Sequence, residues 1–363
     1  MSSAQLTIAV DAPTFARYQS AWRHLGNPRT LPVTVLTAVD GFGIPSTLTA
    51  TGVEILSAIG RACTRPDDPT APAAAFAILK YSESIADSPE LALAEDLIDL
   101  DSHKKTVVSD EFGCGMALLM AERYLATPRL MDVESGISQG SLATDHPRSR
   151  RPDYFGETAE ATPRVLILEA KGTQSGLPYA KKQVESGCGQ LPMVNLSGAW
   201  AGRPAVRTVV STSLARVDEA SNTTILVGDP EPANEKVNYE LREDLVRAVS
   251  RAHYGRLATL TGDRDLLVRT ERRARILGVP MVPHRFGERE FLGVVIAITG
   301  PQGVLMAFAG VDSSMREPYS VHPAYVPKGD AAFKPTTQID VASAGRPVAA
   351  LSNDGFLLWL SGG

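Results

Sequence analysis

The chain alternates between short apolar runs and polar breaks rich in Gly and Pro, with a few stretches at helical spacing. Residues 6–10, 32–38, 130–133, 165–168, 206–211 and 223–227 are apolar runs of strand length, bounded by turn residues. Residues 52–62, 109–126 and 176–190 predict helices. In 109–126, Ser109 or Asp110 suits the cap and acidic residues occupy the first turn. There Phe112, Met116 and Leu119 fall on one stripe, beside a second made of Glu111, Gly115, Leu118 and Glu122. A long helix is predicted over 238–260, from the spacing of Leu241, Leu245, Val249 and Tyr254. From 291 the pattern turns β-like, at 291–298, 304–309 and 356–360. Residues 64–74 read as a Pro-rich linker, 75–80 as a strand, 89–98 as a short helix and 135–152 as a long polar loop. No internal repeat is present.

The run 165–168 carries the most information. It lies between Pro163 and Gly172 and runs into Glu169-Ala170-Lys171. On a strand, Glu169 and Lys171 point the same way. Asp153 stands behind Pro152, 16 residues before Glu169. Two carboxylates from neighbouring strands can grip a hard divalent cation, and a lysine beside them can act on an attacking water. A second Pro-Asp pair, Pro66-Asp67, has no strand or Glu-x-Lys close behind it and reads as a turn. The alternative for 153–171 is a surface strand with a solvated Glu and Lys.

This Pro-Asp…Glu-x-Lys arrangement resembles the signature of the PD-(D/E)XK nuclease superfamily, the fold of many restriction enzymes. The predicted order helix, strand, strand, strand, helix, strand over about 109–212 is similar to the core of that superfamily. The resemblance implies an α/β fold with a restriction-endonuclease-like core, a mixed central sheet flanked by helices, and extra N- and C-terminal α+β segments. The expected division is 1–105, 106–230 and 231–363. It also implies that Asp153 and Glu169 bind Mg²⁺, with Mn²⁺ able to substitute, and that the backbone carbonyl of Ala170 completes the site. Lys171 would orient or help deprotonate the attacking water. A further acidic residue is expected from the preceding helix. Glu111 and Glu122 share a face but lie about 16 Å apart, so one of them at most reaches the metal. Glu111 is favoured because it heads the predicted helix, where it would equally suit the helix dipole. Glu122 reads as a solvated face residue. Gln183, on the following helix, is a candidate supporting residue. The activity implied is metal-dependent hydrolysis of phosphodiester bonds in DNA, in the setting of a bacterial restriction or anti-phage system. The alternative is a catalytically silent or partner-gated subunit with a structural or nucleic-acid-binding role in a larger complex.

Charge narrows where nucleic acid can bind. The formal net charge of the 363 residues is −5, so a polyanion needs a local basic groove. Arg148, Arg150, Arg151, Lys181 and Lys182 flank the metal pair in sequence and are the expected phosphate contacts. The run Arg264, Arg269, Arg272, Arg273 and Arg275 suits a groove, a solubilising face or a partner contact. Cys63, Cys114 and Cys188 show neither zinc spacing nor a disulfide framework, which suits a reducing cytoplasm. Residues 1–5 lack the basic region and apolar run of a signal peptide. No stretch approaches the roughly 18 apolar residues of a membrane span, so no membrane partner is expected. A protein partner or homo-oligomer stays open. No phosphate-binding loop motif is present, and the six histidines show no metal spacing. Gly136-Ile137-Ser138-Gln139-Gly140 fits a hydrolase nucleophile elbow, but the elbow requires a helix directly after it. Residues 141–152 are polar with two prolines, so the serine-hydrolase reading is set aside.

Overall fold

The computed structural model describes residues 5–64, 79–97, 100–145, 151–191, 193–198, 200–230, 236–242, 245–261, 281–315, 348–352 and 356–361. In chain order come β1 (Gln5–Ala9), α1 (Ala12–Leu25), β2 (Pro28–Val35), β3 (Thr47–Thr51) and α2 (Gly52–Cys63). Then follow α3 (Ser102–Tyr124), β4 (Leu130–Asp132), α4 (Val133–Ser138), β5 (Leu142–Thr144), β6 (Tyr154–Glu157), β7 (Val165–Thr173) and α5 (Leu177–Gln190). The rest are β8 (Met193–Gly198), β9 (Ala205–Ser213), β10 (Thr224–Gly228), β11 (Lys236–Leu241), α6 (Leu245–Thr261), β12 (Val282–Phe286), β13 (Arg289–Gly300), β14 (Gly303–Asp312), β15 (Val348–Leu351) and β16 (Phe356–Ser361). The fold is mixed α/β, and among the described residues the strands form three sheets. No helix among them is long and apolar enough to cross a membrane.

The chain divides into two compact units, one of 1–30, 49–97 and 254–363, the other of 31–48 and 98–253. The expected serial boundaries at 105/106 and 230/231 give way to this interleaving. The cause is strand pairing across the length of the chain: β1 runs parallel to β13, with Gln5 opposite Val295 and Ala9 opposite Thr299. The N- and C-terminal segments therefore build one sheet, ordered β1-β13-β14-β16-β15, with β12 also on β13. Helix α1 packs on β13, and α2 packs on β15 and β16. Both helices start on side-chain caps. Asp11 accepts from the Thr14 N–H, and Thr51 forms a reciprocal capping box with Glu54.

The second unit is centred on a seven-stranded sheet ordered β3-β2-β10-β9-β7-β6-β4. Strands β4, β6 and β7 are successively antiparallel, and β9 is parallel to β7. Even-numbered residues of β7 face α3, where a Cβ on Gly172 would meet the Ser109 carbonyl and one on Gly113 would meet the Lys171 carbonyl. Odd-numbered residues face α5. Val165 and Ile167 join Ala180 and Val184 in one core, and Gly187 lies against Val209 and Glu169. The third sheet, β5-β11-β8, adds Tyr239 and Leu241 to that core.

Several predicted elements change. The helix expected over 89–98 is reduced to a single 3-10 turn, Glu95–Leu97, and residues 79–81 at the end of the expected strand 75–80 are helical. Helix α3 begins at Ser102, with Asp101 accepting from the Lys104 N–H at 2.9 Å. Ser109, Asp110 and Glu111 consequently lie inside it, and Glu111 has no helix-head role. Residues 238–241 form part of β11 and not the start of a long helix. Tyr239 and Leu241 are buried while Asn238 and Glu240 are exposed, a period of two. The polar stretch 135–152 contains the end of α4 and all of β5. The linker at 65–74 and the arginine run at 264–275 lie outside the described residues.

The tight approach of α3 to β7 is testable with two glycines on different helices. Gly113→Ala should destabilise the protein by about 1–3 kcal/mol through overpacking, although alanine favours helix. Gly189, in α5, has nothing within 4 Å of an added Cβ, so Gly189→Ala should stabilise by up to about 1 kcal/mol. Urea denaturation of both variants checks the opposite signs.

Candidate metal-dependent site

Strand β7 delivers Glu169 and Lys171 to the α5 face of the sheet. Antiparallel pairing sets Tyr154 opposite Leu168, so Asp153, one residue before β6, arrives beside Glu169. Two backbone contacts hold Asp153. Its Oδ2 accepts from the Ala170 N–H at 2.8 Å, and its carbonyl accepts from the Val133 N–H at 3.0 Å. The sequence pairing of Asp153, Glu169, Ala170 and Lys171 is thus a spatial one.

Glu169 is 1% exposed. Its Oε1 is ion-paired with Lys171 Nζ, and its buried Oε2 has no hydrogen-bond partner. Burial first, then the charge of Asp153, push the Glu169 carboxyl up to about 8, against the pull of Lys171 and of the nearby Asp153 N–H. Asp153 is also raised by burial. The Ala170 N–H and Lys171 oppose that rise, and Asp132 and Asp110 add to it. Burial works against the Lys171 ammonium, but Glu169, Asp153 and Asp110 outweigh it and raise the Lys171 pKa.

The helix carboxylate felt at this site is Asp110. Its own pKa is raised by burial, lowered by Lys171 and raised by Glu111. Glu111 acts on Asp110, and the effects at Asp153 and Lys171 come from Asp110. Glu122 is 8% exposed, which corrects its assignment to a solvated face: residues 115–122 of α3 are all buried. Asp132, a second carboxylate missed in the sequence, ends β4 opposite Tyr154. Its Oδ1 caps α4 by accepting from the Ser135 N–H at 2.7 Å. The signal for both lay in helix boundaries. Recognising Asp101 as the α3 cap places Asp110 inside the helix, where its side chain is exposed but its charge reaches Lys171 and Asp153.

Gln183 reaches the site through the backbone. Its Nε2 donates to the Gly172 carbonyl at 3.1 Å, and its Oε1 accepts from Ser211 Oγ at 3.1 Å. Ser211 is the β9 residue in register with Lys171. Of the expected phosphate contacts, Lys181 and Lys182 are exposed on α5, and Arg151 forms an ion pair with Glu134 at 2.9 Å. Arg148 and Arg150 lie outside the described residues. Ser138 sits in the last turn of α4 and donates to the Ser135 carbonyl at 2.9 Å. It is not on a strand-to-helix elbow.

Among the described residues no group of three or more His, Cys, Asp and Glu side chains is arranged to hold a metal. The carboxylate pair still fits a hard cation. Mg²⁺ is commonly held by one or two carboxylates, with water completing the shell, and the orphaned buried Oε2 of Glu169 is a donor of the right kind. No family model, curated protein or solved structure matches the chain.

The raised pKa predicts a pH dependence with a definite sign. Folded Glu169 keeps its proton up to about 8, whereas its ordinary value is 4.5. Stability is therefore lost as pH rises through that window. Glu169→Gln is neutral throughout and escapes the loss. In EDTA, its melting temperature relative to wild type should climb between about pH 5 and about pH 8. Parallel curves would refute the assignment.

Proposed function

We propose that this protein is a metal-dependent nuclease that hydrolyses phosphodiester bonds, with Asp153, Glu169 and the Ala170 carbonyl as the cation ligands. The observation that carries the proposal is the buried, unpartnered Oε2 of Glu169 beside Asp153 and Lys171. An orphaned buried acceptor costs on the order of 1–3 kcal/mol, a cost that a bound divalent cation would offset. The element order supports the reading as well. With α4, β5 and β8 intervening, the elements α3, β4, β6, β7, α5 and β9 follow in that order, and β4-β6-β7-β9 are consecutive neighbours in the sheet, an arrangement similar to the core of the PD-(D/E)XK superfamily. DNA is the proposed substrate, and a bacterial restriction or anti-phage system the proposed setting.

When bound, the metal would supply a lowered water pKa and charge stabilisation at phosphorus. Asp153 is anchored by the Ala170 N–H and offers its second oxygen. Glu169 offers Oε2. The ammonium of Lys171 is favoured by its carboxylate neighbours, so Lys171 enters as a hydrogen-bond donor that orients water and phosphate, and not as the base. Asp110 is the acidic group on the α3 side. The Lys171–Glu169 ion pair also favours a second reading, in which the site is held closed until a partner docks. Nucleic-acid binding without cleavage by the isolated chain would favour that reading.

Plasmid incubated with the protein and Mg²⁺ or Mn²⁺ should be cut, and EDTA should abolish cutting. Asp153→Ala, Glu169→Ala and Lys171→Ala should each lower cleavage by about 10²-fold or more while retaining a cooperative thermal unfolding transition. Wild-type rates in all three variants would defeat the proposal. Ser138→Ala should cut at the wild-type rate, and loss of activity in that variant with metal binding intact would revive the serine-hydrolase reading.

A further inference from the structure

The first turns of α5 expose large side chains where a soluble helix would ordinarily show polar ones. Tyr179 is 50% exposed and Leu177 is 39% exposed. The helix is otherwise well seated, with Ala180, Val184 and Gly187 buried against the sheet. Tyr179 therefore stands outside the packing that holds the helix in place.

Its position is set by Gln183. Residues four apart on a helix are neighbours on one face, so Tyr179 lies one turn, about 5.4 Å, before Gln183. Gln183 is fastened to the carbonyl of Gly172, the residue after Lys171. Tyr179 thus projects from the side of α5 that is tied to the Lys171 end of β7. Lys182, exposed and three residues on, shares that side, whereas Lys181, two residues on, is exposed on another face. The first turn holds no acidic residue, and the helix starts at Gly176 without a side-chain cap, so its positive end is not offset locally.

An exposed ring beside Lys182 near a helix N-terminus offers two surfaces. The ammonium suits a phosphate, and the ring suits the face of a nucleobase. A base inside a duplex hides its faces by stacking on its neighbours, so a ring of this kind can engage only a base that is unpaired or displaced. We infer that Tyr179 is a stacking platform for an unpaired nucleobase beside the site, and that the protein selects single-stranded or locally opened nucleic acid over intact duplex. The inference rests on the nuclease reading for the nature of the substrate. It concerns a surface that the carboxylates do not include.

Binding read in EDTA separates the two. Fluorescence anisotropy would be measured with a labelled oligonucleotide, as a single strand and as a blunt duplex, for wild type, Tyr179→Ala and Tyr179→Phe. Wild type should prefer the single strand. Tyr179→Ala should lose roughly 5- to 100-fold in single-strand affinity, and Tyr179→Phe should stay within about twofold, because the ring is kept. Thermal unfolding of each variant verifies that the fold is intact, as expected for a half-exposed side chain. Single-strand binding unchanged in Tyr179→Ala overturns the inference, and is the result expected if Leu177 and Tyr179 instead seat a protein. Equal wild-type affinity for strand and duplex, or no binding to either, overturns it as well. Tyr179-dependent binding by a protein that never cuts plasmid would sustain the inference and remove the catalytic reading.

Discussion

Helix α3 lies on β7 with almost no side chain between them. Gly113 faces the Lys171 carbonyl, and Gly172 faces the Ser109 carbonyl. Any Cβ at either place would lift the helix away. Because the backbones touch, Asp110, next to Ser109, comes close enough for its charge to act on Lys171 and Asp153. The contact continues past the strand through Gln174, whose Nε2 donates to the Lys105 carbonyl and to Ser109 Oγ. With its even-numbered face closed by α3, β7 has only its odd-numbered face for chemistry, and Glu169 and Lys171 occupy that face.

The two carboxylates of the site are not equivalent. Asp153 is clamped by backbone on two sides, so its position is part of the sheet. Glu169 is deeper, shares one oxygen with Lys171 and leaves the other without a well-formed hydrogen bond, although the Asp153 N–H lies near the carboxyl. The clamped group is preorganised, and the open one carries the electrostatic tension. An apolar residue at 169 would pack against Gly187 and Val209 at no such cost. A carboxyl group in that position suits a role beyond packing.

Much of this site was legible in the sequence. The apolar run before Glu169, the Pro-Asp pair and the order of elements around them each follow from local patterns. The start of α3 was hidden because its first residues, 102–106, are polar and mostly exposed, and only the last part of the helix carries an apolar stripe. That error made Asp110 look like a cap and drew attention to Glu111. In β11, the short alternation of Val237, Tyr239 and Leu241 was too brief a signal against the helical spacing that continues through α6. The interleaved units had no local signature at all, since the pairing of β1 with β13 leaves no mark on either segment alone.

That pairing has a consequence for synthesis. A ribosome adds roughly 5–20 residues per second, and domains generally fold as units as they emerge. The residues of the second unit are complete by position 253. Strand β1 has its partner some 290 residues later, at Val295 to Thr299. On the nascent chain the sheet-forming edge of β1 must therefore wait, unpaired, while the other unit is completed. An unpaired strand edge is a template for wrong partners, and closing so long a loop is slow. The order of translation thus assigns the two units different hazards: the one bearing the carboxylates can assemble early, whereas the one that joins the two ends of the chain carries the exposure to chaperones and to aggregation.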